Sequence, residues 1–353
     1  MNGKYFFKLL KTLFEKSPER DISKKDKIII FSDLHLGNGK SGDDFAHNGD
    51  FFHHLLKNYY YPRGYHLVLN GDVEELHKFS LKEIRASWGY LYKILEKFQL
   101  RQGLTKLQGN HDFNLYKKKE FLLKLPVTGT CKLNYKGNII FIFHGHQAEY
   151  FFRFIQSITA FIVRFVAHPL GIKNYSVAFN SRRRYQVEKR VYNFARKHKI
   201  LAVIGHTHRP LFESLSKIDS LKFKIERYCR IYPAAESGRQ KELEKLIEKF
   251  KSELEKLLQS KKRKSHEENL YARIPMVPCL FNSGCCIGKN GITAIEIKEG
   301  YIELVYWFDN KRSGKYFDFG EYRPTRLGRS DYWRVSLNKE SLEYVFTRIK
   351  LLS

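Results

Sequence analysis

Five short clusters in this chain combine residue types that bind divalent cations: Asp33-Leu34-His35, Gly71-Asp72, Gly109-Asn110-His111-Asp112, His144-Gly145-His146 and Gly205-His206-Thr207-His208. Imidazole and carboxylate together suit first-row metals such as manganese, iron, zinc and cobalt. The clusters hold more donors than a single ion needs, and two ions sharing a bridging carboxylate would use them. A pair of ions ~3.5–4 Å apart can clamp the attacking and leaving oxygens of a phosphoryl group and lower the pKa of a bound water toward ~7. The chemistry on offer is metal-assisted hydrolysis of a phosphate ester. Taken singly, any one of these histidines would more often be a hydrogen-bonded structural residue; the full set carries the reading.

Each cluster closes an apolar run. KIIIFSDLH begins at Lys27, HLVLNGD covers 66–72, LTKLQGNHD covers 104–112, NIIFIFHGH covers 138–146 and ILAVIGHTH covers 200–208. Short β-branched runs of this kind read as buried strands. Helical spacing lies between them, as from Leu81 to Phe98. Open α/β sheets present ligands beyond the carboxyl ends of their strands, so five polar strand ends predict one shared site. Residues 4–16 predict a short amphipathic helix, with Lys4, Lys8 and Lys11 opposite an apolar face. Residues 149–168 predict a helix that is apolar except for a strip through Arg153, Gln156, Ala160 and Arg164. Lys241 to Lys264 predicts a one-sided amphipathic helix, and GITAIEI and YIELVYW, after Phe281, predict further strands.

In this order, D-x-H, G-D, G-N-H-[DE], a strand-end His and G-H-x-H resemble the signature of the calcineurin-like metallophosphoesterases. The match runs from about Lys27 to Pro210, with looser similarity to about Trp307. The resemblance implies an α/β fold, a four-layer αββα sandwich with helical insertions. We place that domain at 27–320, with insertions at about 149–198 and 236–270, an N-terminal amphipathic helix at 1–26 and a C-terminal extension at 321–353. It also implies that Asp33, His35 and His208 hold one metal, that Asn110, His144 and His206 hold the other, and that Asp72 bridges them. A water between the ions would be the nucleophile, and His111 would contact the phosphoryl group and protonate the leaving oxygen. Two divalent ions are expected, manganese first, with iron, zinc, cobalt or nickel as alternatives.

Three departures from the family pattern bear on these roles. Glu75, with Glu74 beside it, stands where the family often has an acid that orients the catalytic histidine. GDVEELH and GNHD differ from the protein serine/threonine phosphatase branch. HGH leaves His144 and His146 competing, and His144 is favoured because the strand FIF ends on it. Asp112 is expected to cap the following helix, and Asn282 in FNSG is expected to be structural. Asp43, Asp44, His47, His53, His54 and His66 are given no role.

The chain has 353 residues, with 64 Lys and Arg against 37 Asp and Glu, so its formal charge is 64 − 37 = +27. A field of that sign attracts phosphates, whether on nucleic acid, an anionic lipid surface or a small substrate. With 42% hydrophobic and 29% charged residues, global disorder is excluded. From 151 to 200 there are eleven Lys and Arg against one acid, Glu188, and Arg182, Arg183 and Arg184 are the expected substrate contacts. An apolar helix beside an arginine cluster suits an amphiphilic or nucleotide-linked substrate, and here the chain resembles the UDP-2,3-diacylglucosamine hydrolases. GNHD and the extra length depart from that group. Competing readings are a nuclease whose basic surface tracks a strand, a protein phosphatase of the same fold, and a non-catalytic metal-binding scaffold. Five cysteines without C-x-x-C argue against a disulfide framework. No secretory h-region is visible. The expectation is a cytoplasmic protein acting on a phosphorylated substrate, with peripheral contact to an anionic membrane surface and with nucleic acid left open as a partner.

Overall fold

A strand that is apolar on both faces needs a partner layer on each side, and β2 (Lys27–Phe31) has both. Ile28 and Ile30 enter one core cluster, while Ile29 and Phe31 enter another. The computed structural model describes residues 3–113, 127–149, 181–214, 217–262, 276–312 and 323–353. In the first cluster, Ile28 and Ile30 join Val68 of β3 (His66–Asn70) and Leu107 of β4 (Leu104–Leu107). The same cluster holds Leu133 of β5 (Thr130–Tyr135), Ile140 and Ile142 of β6 (Asn138–Phe143), and Val203 of β7 (Leu201–Ile204). This is the seam between two sheets packed face to face.

Helices cover both outer faces. On the first sheet lie α1 (Gly3–Lys16) and α4 (Ser181–His198), with Phe14 against Phe141 at 5.3 Å and Phe7 against Phe194 at 5.3 Å between ring centroids. On the second lie α2 (Gly49–Leu55) and α3 (Leu81–Leu100), whose Phe52, Leu91 and Leu95 pack with Phe31 and Leu67. The order helix, sheet, sheet, helix is the expected four-layer α/β architecture. Ser80 starts α3 with a capping box: its side chain accepts from Glu83 N, and Glu83 accepts from Ser80 N at 2.8 Å.

The first sheet has the order β1-β5-β6-β7-β8, with β1 at Glu19–Ile22 and β8 at Leu280–Asn282. The second has the order β11-β12-β10-β9-β2-β3-β4, with β9 at Ile292–Lys298, β10 at Tyr301–Asp309, β11 at Thr325–Arg326 and β12 at Tyr332–Ser341. β2, β3 and β4 are parallel, in register Ile28↔His66 and Leu67↔Leu104. β6, β7 and β8 are parallel too, in register Ile140↔Leu201 and Val203↔Phe281. Within each sheet the carboxyl ends of these strands therefore share an edge.

Both terminal segments are built into the layers. β1 pairs with β5, while β11 and β12 extend the second sheet past β10. The last helix, α7 (Leu342–Leu352), buries Val345, Phe346 and Ile349 in the first cluster. The second insertion starts earlier than the expected boundary at 236. α5 (Lys217–Ile231) and α6 (Ser237–Lys262) form a helical hairpin around Leu221, Tyr228, Leu243, Leu246 and Phe250, because the apolar stripe of α6 needs a partner and α5 supplies it. Of the first insertion, Glu149 and α4 are within the described residues, and the rest of the expected 149–168 helix is outside them. Residues 263–270 are outside them as well.

One buried ionic knot fastens the second sheet. Glu296 of β9 accepts from Arg334 Nε at 3.1 Å and Nη2 at 2.8 Å, and from Tyr60 Oη at 2.9 Å.

Candidate metal centre

The chain turns sharply where each parallel strand ends. Asp33, His35, Asp72, His206 and His208 all have φ between 50° and 62°, a left-handed conformation that is rare for non-glycine residues. Such strain costs of order 1–3 kcal/mol per residue and persists where the surrounding fold enforces it, typically at functional sites. Here it is enforced by hydrogen bonds between the turns. Asp33 N donates to Gly71 O at 3.1 Å, His35 N to Asp72 O at 2.9 Å, and Gly205 N to His144 O at 2.9 Å. The turns pack so closely that a Cβ on Gly109 would lie 2.1 Å from Asp72 Oδ1, and one on Gly205 would lie 2.6 Å from Asp33 Oδ2.

Each buried aspartate is held by one oxygen and presents the other. Asp33 Oδ2 accepts from His206 N at 2.9 Å, and Asp72 Oδ1 accepts from His111 N at 2.8 Å. The second oxygens face imidazoles. Asp33 Oδ1 lies 3.1 Å from His208 Nε2 and 3.9 Å from both His35 Nε2 and His144 Nε2. Asp72 Oδ2 lies 3.1 Å from His144 Nε2 and 3.9 Å from both His35 Nε2 and His111 Nε2. Although these approaches are short, Asp33 Oδ1 and His144 Nε2 are not aligned as hydrogen-bond partners of anything, and neither is Asn110 Oδ1. Asp33 Oδ1 and His144 Nε2 face each other at 3.9 Å.

Three histidines have their far nitrogen tied to an acceptor. His35 Nδ1 bonds Glu75 Oε2 at 2.9 Å, His144 Nδ1 bonds Asn70 O at 2.8 Å, and His206 Nε2 bonds Glu149 Oε2 at 3.1 Å. Each acceptor takes an N–H, which leaves the other ring nitrogen with its lone pair for a cation. Two donor groups result, each with its ligand atoms within 4.8 Å of one another: Asp33, His35 and His208, and Asp72, His144 and His206. A third group, His35, Glu75 and His111, meets the same measure. It is a hydrogen-bonded array, since Glu75 spends both oxygens on Nδ1 atoms, the second on His111 at 2.8 Å. The residues present fit divalent cations: the donor chemistry, the buried atoms without partners and the fixed tautomers all point inward.

The electrostatics ask for positive charge. Burial would raise the Asp33 carboxyl, but His208 and His144 outweigh it and hold it down at about 2. Asp72 and Glu75 are likewise held well below the usual carboxylate range against burial, mainly by His144 and by His111 respectively. Burial would depress His144, yet Asp72 and Asp33 carry it up to about 10. The same contest, with Glu75 and then Asp72 prevailing, raises His111 to about 9.

The structure thus gathers Asp33, His35, Asp72, Asn110, His144, His206, His208, His111 and Glu75 at one edge. His146 is buried behind, its ring centroid 5.4 Å from His144. Arg182 and Arg183 are exposed on the first turn of α4, and Arg184 is half-buried. None of the three is in the donor groups. The helix that Asp112 is expected to cap lies outside the described residues. Asp112 accepts from Gly109 N at 2.6 Å and from Val73 N at 2.9 Å, so it ties the third cluster to the second. Asn282 is structural, donating to Gly205 O and Thr207 Oγ1, both at 2.9 Å.

Four contributors were invisible as local motifs. Glu149 orients His206. Glu188 of α4, buried, accepts from Thr207 Oγ1 at 3.1 Å and pairs with Arg209. The carbonyl of Asn70 orients His144. His77 lies beside His111, with ring centroids 4.4 Å apart, and burial and the charge on His111 pull it down to about 4. GDVEELH shows His77 as a further imidazole after Asp72, but nothing in its spacing assigns it.

No family model matches the chain, and no curated protein matches it. Among solved structures, a conserved uncharacterized protein from Streptococcus pneumoniae, described as a predicted phosphoesterase, aligns over 80% of this chain and 89% of its own, at 11% identity and a TM-score of 0.30. A Vps29 point mutant from Entamoeba histolytica aligns over 88% of this chain and 99% of its own, at 11% identity and a TM-score of 0.35. Likeness at this level says nothing of chemistry.

Proposed function

We propose that the protein is a metal-dependent phosphoesterase that holds two divalent cations at the ends of β2, β3, β4, β6 and β7. The observation that carries this reading is the inward-facing donor set. Asp33 Oδ1, Asn110 Oδ1 and His144 Nε2 are buried without hydrogen-bond partners, and leaving such atoms unsatisfied costs about 1–3 kcal/mol each. Asp33, His35 and His208 would hold one ion and Asn110, His144 and His206 the other, with Asp72 between them. When bound, the ions supply charge neutralisation of phosphoryl oxygens and acidification of water. Manganese is the favoured metal, and iron, zinc, cobalt and nickel suit the same donors.

His111 does the proton work. Its Nδ1–H is committed to Glu75, so Nε2 is the atom it presents, and its side chain is 15% exposed where Asp72 is 2%. Glu75, bonded to its Nδ1, favours the protonated ring, and a protonated imidazole can give its Nε2 proton to a leaving oxygen. Glu75 fixes its ring plane. Arg182, Arg183 and Arg184, at the start of α4, are the cations proposed to meet further phosphate or anionic groups of the substrate.

Metal content of the full chain and hydrolysis of aryl phosphate mono- and diesters test the reading. About two ions per chain and Mn²⁺-stimulated turnover are expected, with turnover lost in Asp72→Asn and His111→Ala while the fold persists. Fewer than one ion after metal-supplemented purification, with no hydrolysis, would instead support a scaffold.

A further inference from the structure

We propose that His77 is a positioning residue for His111, its ring forming the wall that keeps His111 Nε2 aimed at the leaving oxygen. This role rests on the phosphoesterase reading and gives the proton donor a second support besides the Glu75 carboxylate.

His77 sits on the turn between β3 and α3, and Glu75 shapes that turn. Glu75 N donates to Leu36 O at 3.0 Å, while Glu75 O accepts from Lys78 N at 3.2 Å and from Phe79 N at 3.0 Å. Phe79 is buried, and Lys78 Nζ reaches Asp44 Oδ2 at 3.0 Å. The residue whose carboxylate holds His111 Nδ1 therefore also fixes, through its backbone, the turn that carries His77. The two imidazoles meet with centroids 4.4 Å apart and planes inclined by 36°. His77 ends a row of rings: His208 lies 5.1 Å from His35, and His35 lies 4.7 Å from His111 at 87°. His111 thus has one neighbouring ring nearly perpendicular to its plane and another inclined to it.

A single hydrogen bond leaves an imidazole some play, since bends of up to ~30° stay within its favourable range. That play displaces Nε2, and a misplacement of ~1 Å at a reacting group can lower a rate ~10²-fold. Packed rings take up this freedom. Among the described residues the His77 ring has no hydrogen-bond partner, so what it offers His111 is a flat surface. A phenyl ring has the same flat surface; an aliphatic or amide side chain does not.

The leaving group separates this role from a merely structural one. A para-nitrophenolate leaves with little need of a proton, whereas phenolate depends more on the acid. The full chain, loaded with Mn²⁺, is assayed on phenyl and para-nitrophenyl phosphates, as mono- and diesters. His77→Ala and His77→Gln should lower kcat on the phenyl esters about 10- to 100-fold and on the para-nitrophenyl esters less. KM, bound Mn²⁺ and far-ultraviolet dichroism should stay as in the wild type. His77→Phe should restore most of the lost phenyl-ester kcat. Wild-type kcat in the Ala and Gln variants, an equal loss on both leaving groups, a loss confined to KM, a fall in bound Mn²⁺, or a Phe variant as slow as the Ala variant would each overturn the role of His77 while the phosphoesterase reading stands. No hydrolysis by the wild type would overturn both.

Discussion

Replacing Glu75 by Gln changes one buried charge and almost no volume, and it should disturb two imidazoles at once. The carboxylate accepts from His35 Nδ1 at 2.9 Å and from His111 Nδ1 at 2.8 Å. Glutamine offers one acceptor oxygen and an NH₂ donor. One of the two rings must then turn a lone pair toward the amide and carry its proton on Nε2. If His35 does so, it loses the lone pair it would present to a cation; if His111 does so, its protonated form loses its partner. His111 stands at about 9 instead of its ordinary 6.5, and Glu75 leads Asp72 among the groups that raise it against burial. At ~1.4 kcal/mol per pH unit the whole displacement is worth about 3 kcal/mol, and at least half should go with the charge. The expected outcome is a His111 titration lower by about one to two pH units, read by imidazole NMR on the metal-free protein, and Mn²⁺ affinity weaker by about 10- to 100-fold by calorimetry. An unshifted titration together with wild-type affinity would refute the claim that Glu75 organises both rings.

Gly109→Ala would place a methyl 2.1 Å from Asp72 Oδ1 and 2.2 Å from Asp72 N; bound Mn²⁺ per chain, measured by elemental analysis, should fall while far-ultraviolet dichroism is retained. Glu149→Ala frees the Nε2 of His206 and should weaken metal binding about tenfold, with Glu149→Gln intermediate, both measured by titration calorimetry. Arg334→Met leaves Glu296 buried without its two arginine bonds, which should cost about 3–5 kcal/mol in urea unfolding, and adding Glu296→Gln should restore most of it. His66 accepts from Arg20 at 2.8 Å, bonds Thr105 at 2.7 Å, and is pulled down to about 4 by burial and then by Arg20. Between about pH 4 and 6.5 the unfolded chain binds a proton that the folded one refuses, so stability is lost as pH falls through that window, by up to about 3 kcal/mol. Urea midpoints at pH 7 and pH 5 should differ less in His66→Gln than in the wild type, and an identical dependence would count against this assignment.

The strands and their chemistry-bearing ends were legible because both are local. An apolar run such as NIIFIF commits its own residues to a buried strand, and the polar residue that follows it has to sit at the strand's end. Once five such ends carry Asp, Asn and His, parallel pairing alone brings them to common edges. The helical spacing of α3 and the stripe of α6 were readable for the same reason, since each depends on neighbours within about one helical turn.

Other features depend on which layers close on which. Asn70 O reaches His144 across 74 positions, Glu149 reaches His206 across 57, and Val73 N reaches Asp112 across 39. The linking of two turns by Asp112 and the left-handed turns at Asp33 and Asp72 follow from these distant bonds. The pairing of β12 with β10 and of α5 with α6 belongs with them. Spacing along a chain encodes period and burial, whereas a hydrogen bond between remote groups exists only after chain entropy has been spent on bringing their elements together. That is why candidate donors could be picked out by residue type at the strand ends, while the tautomers that aim them required the folded protein.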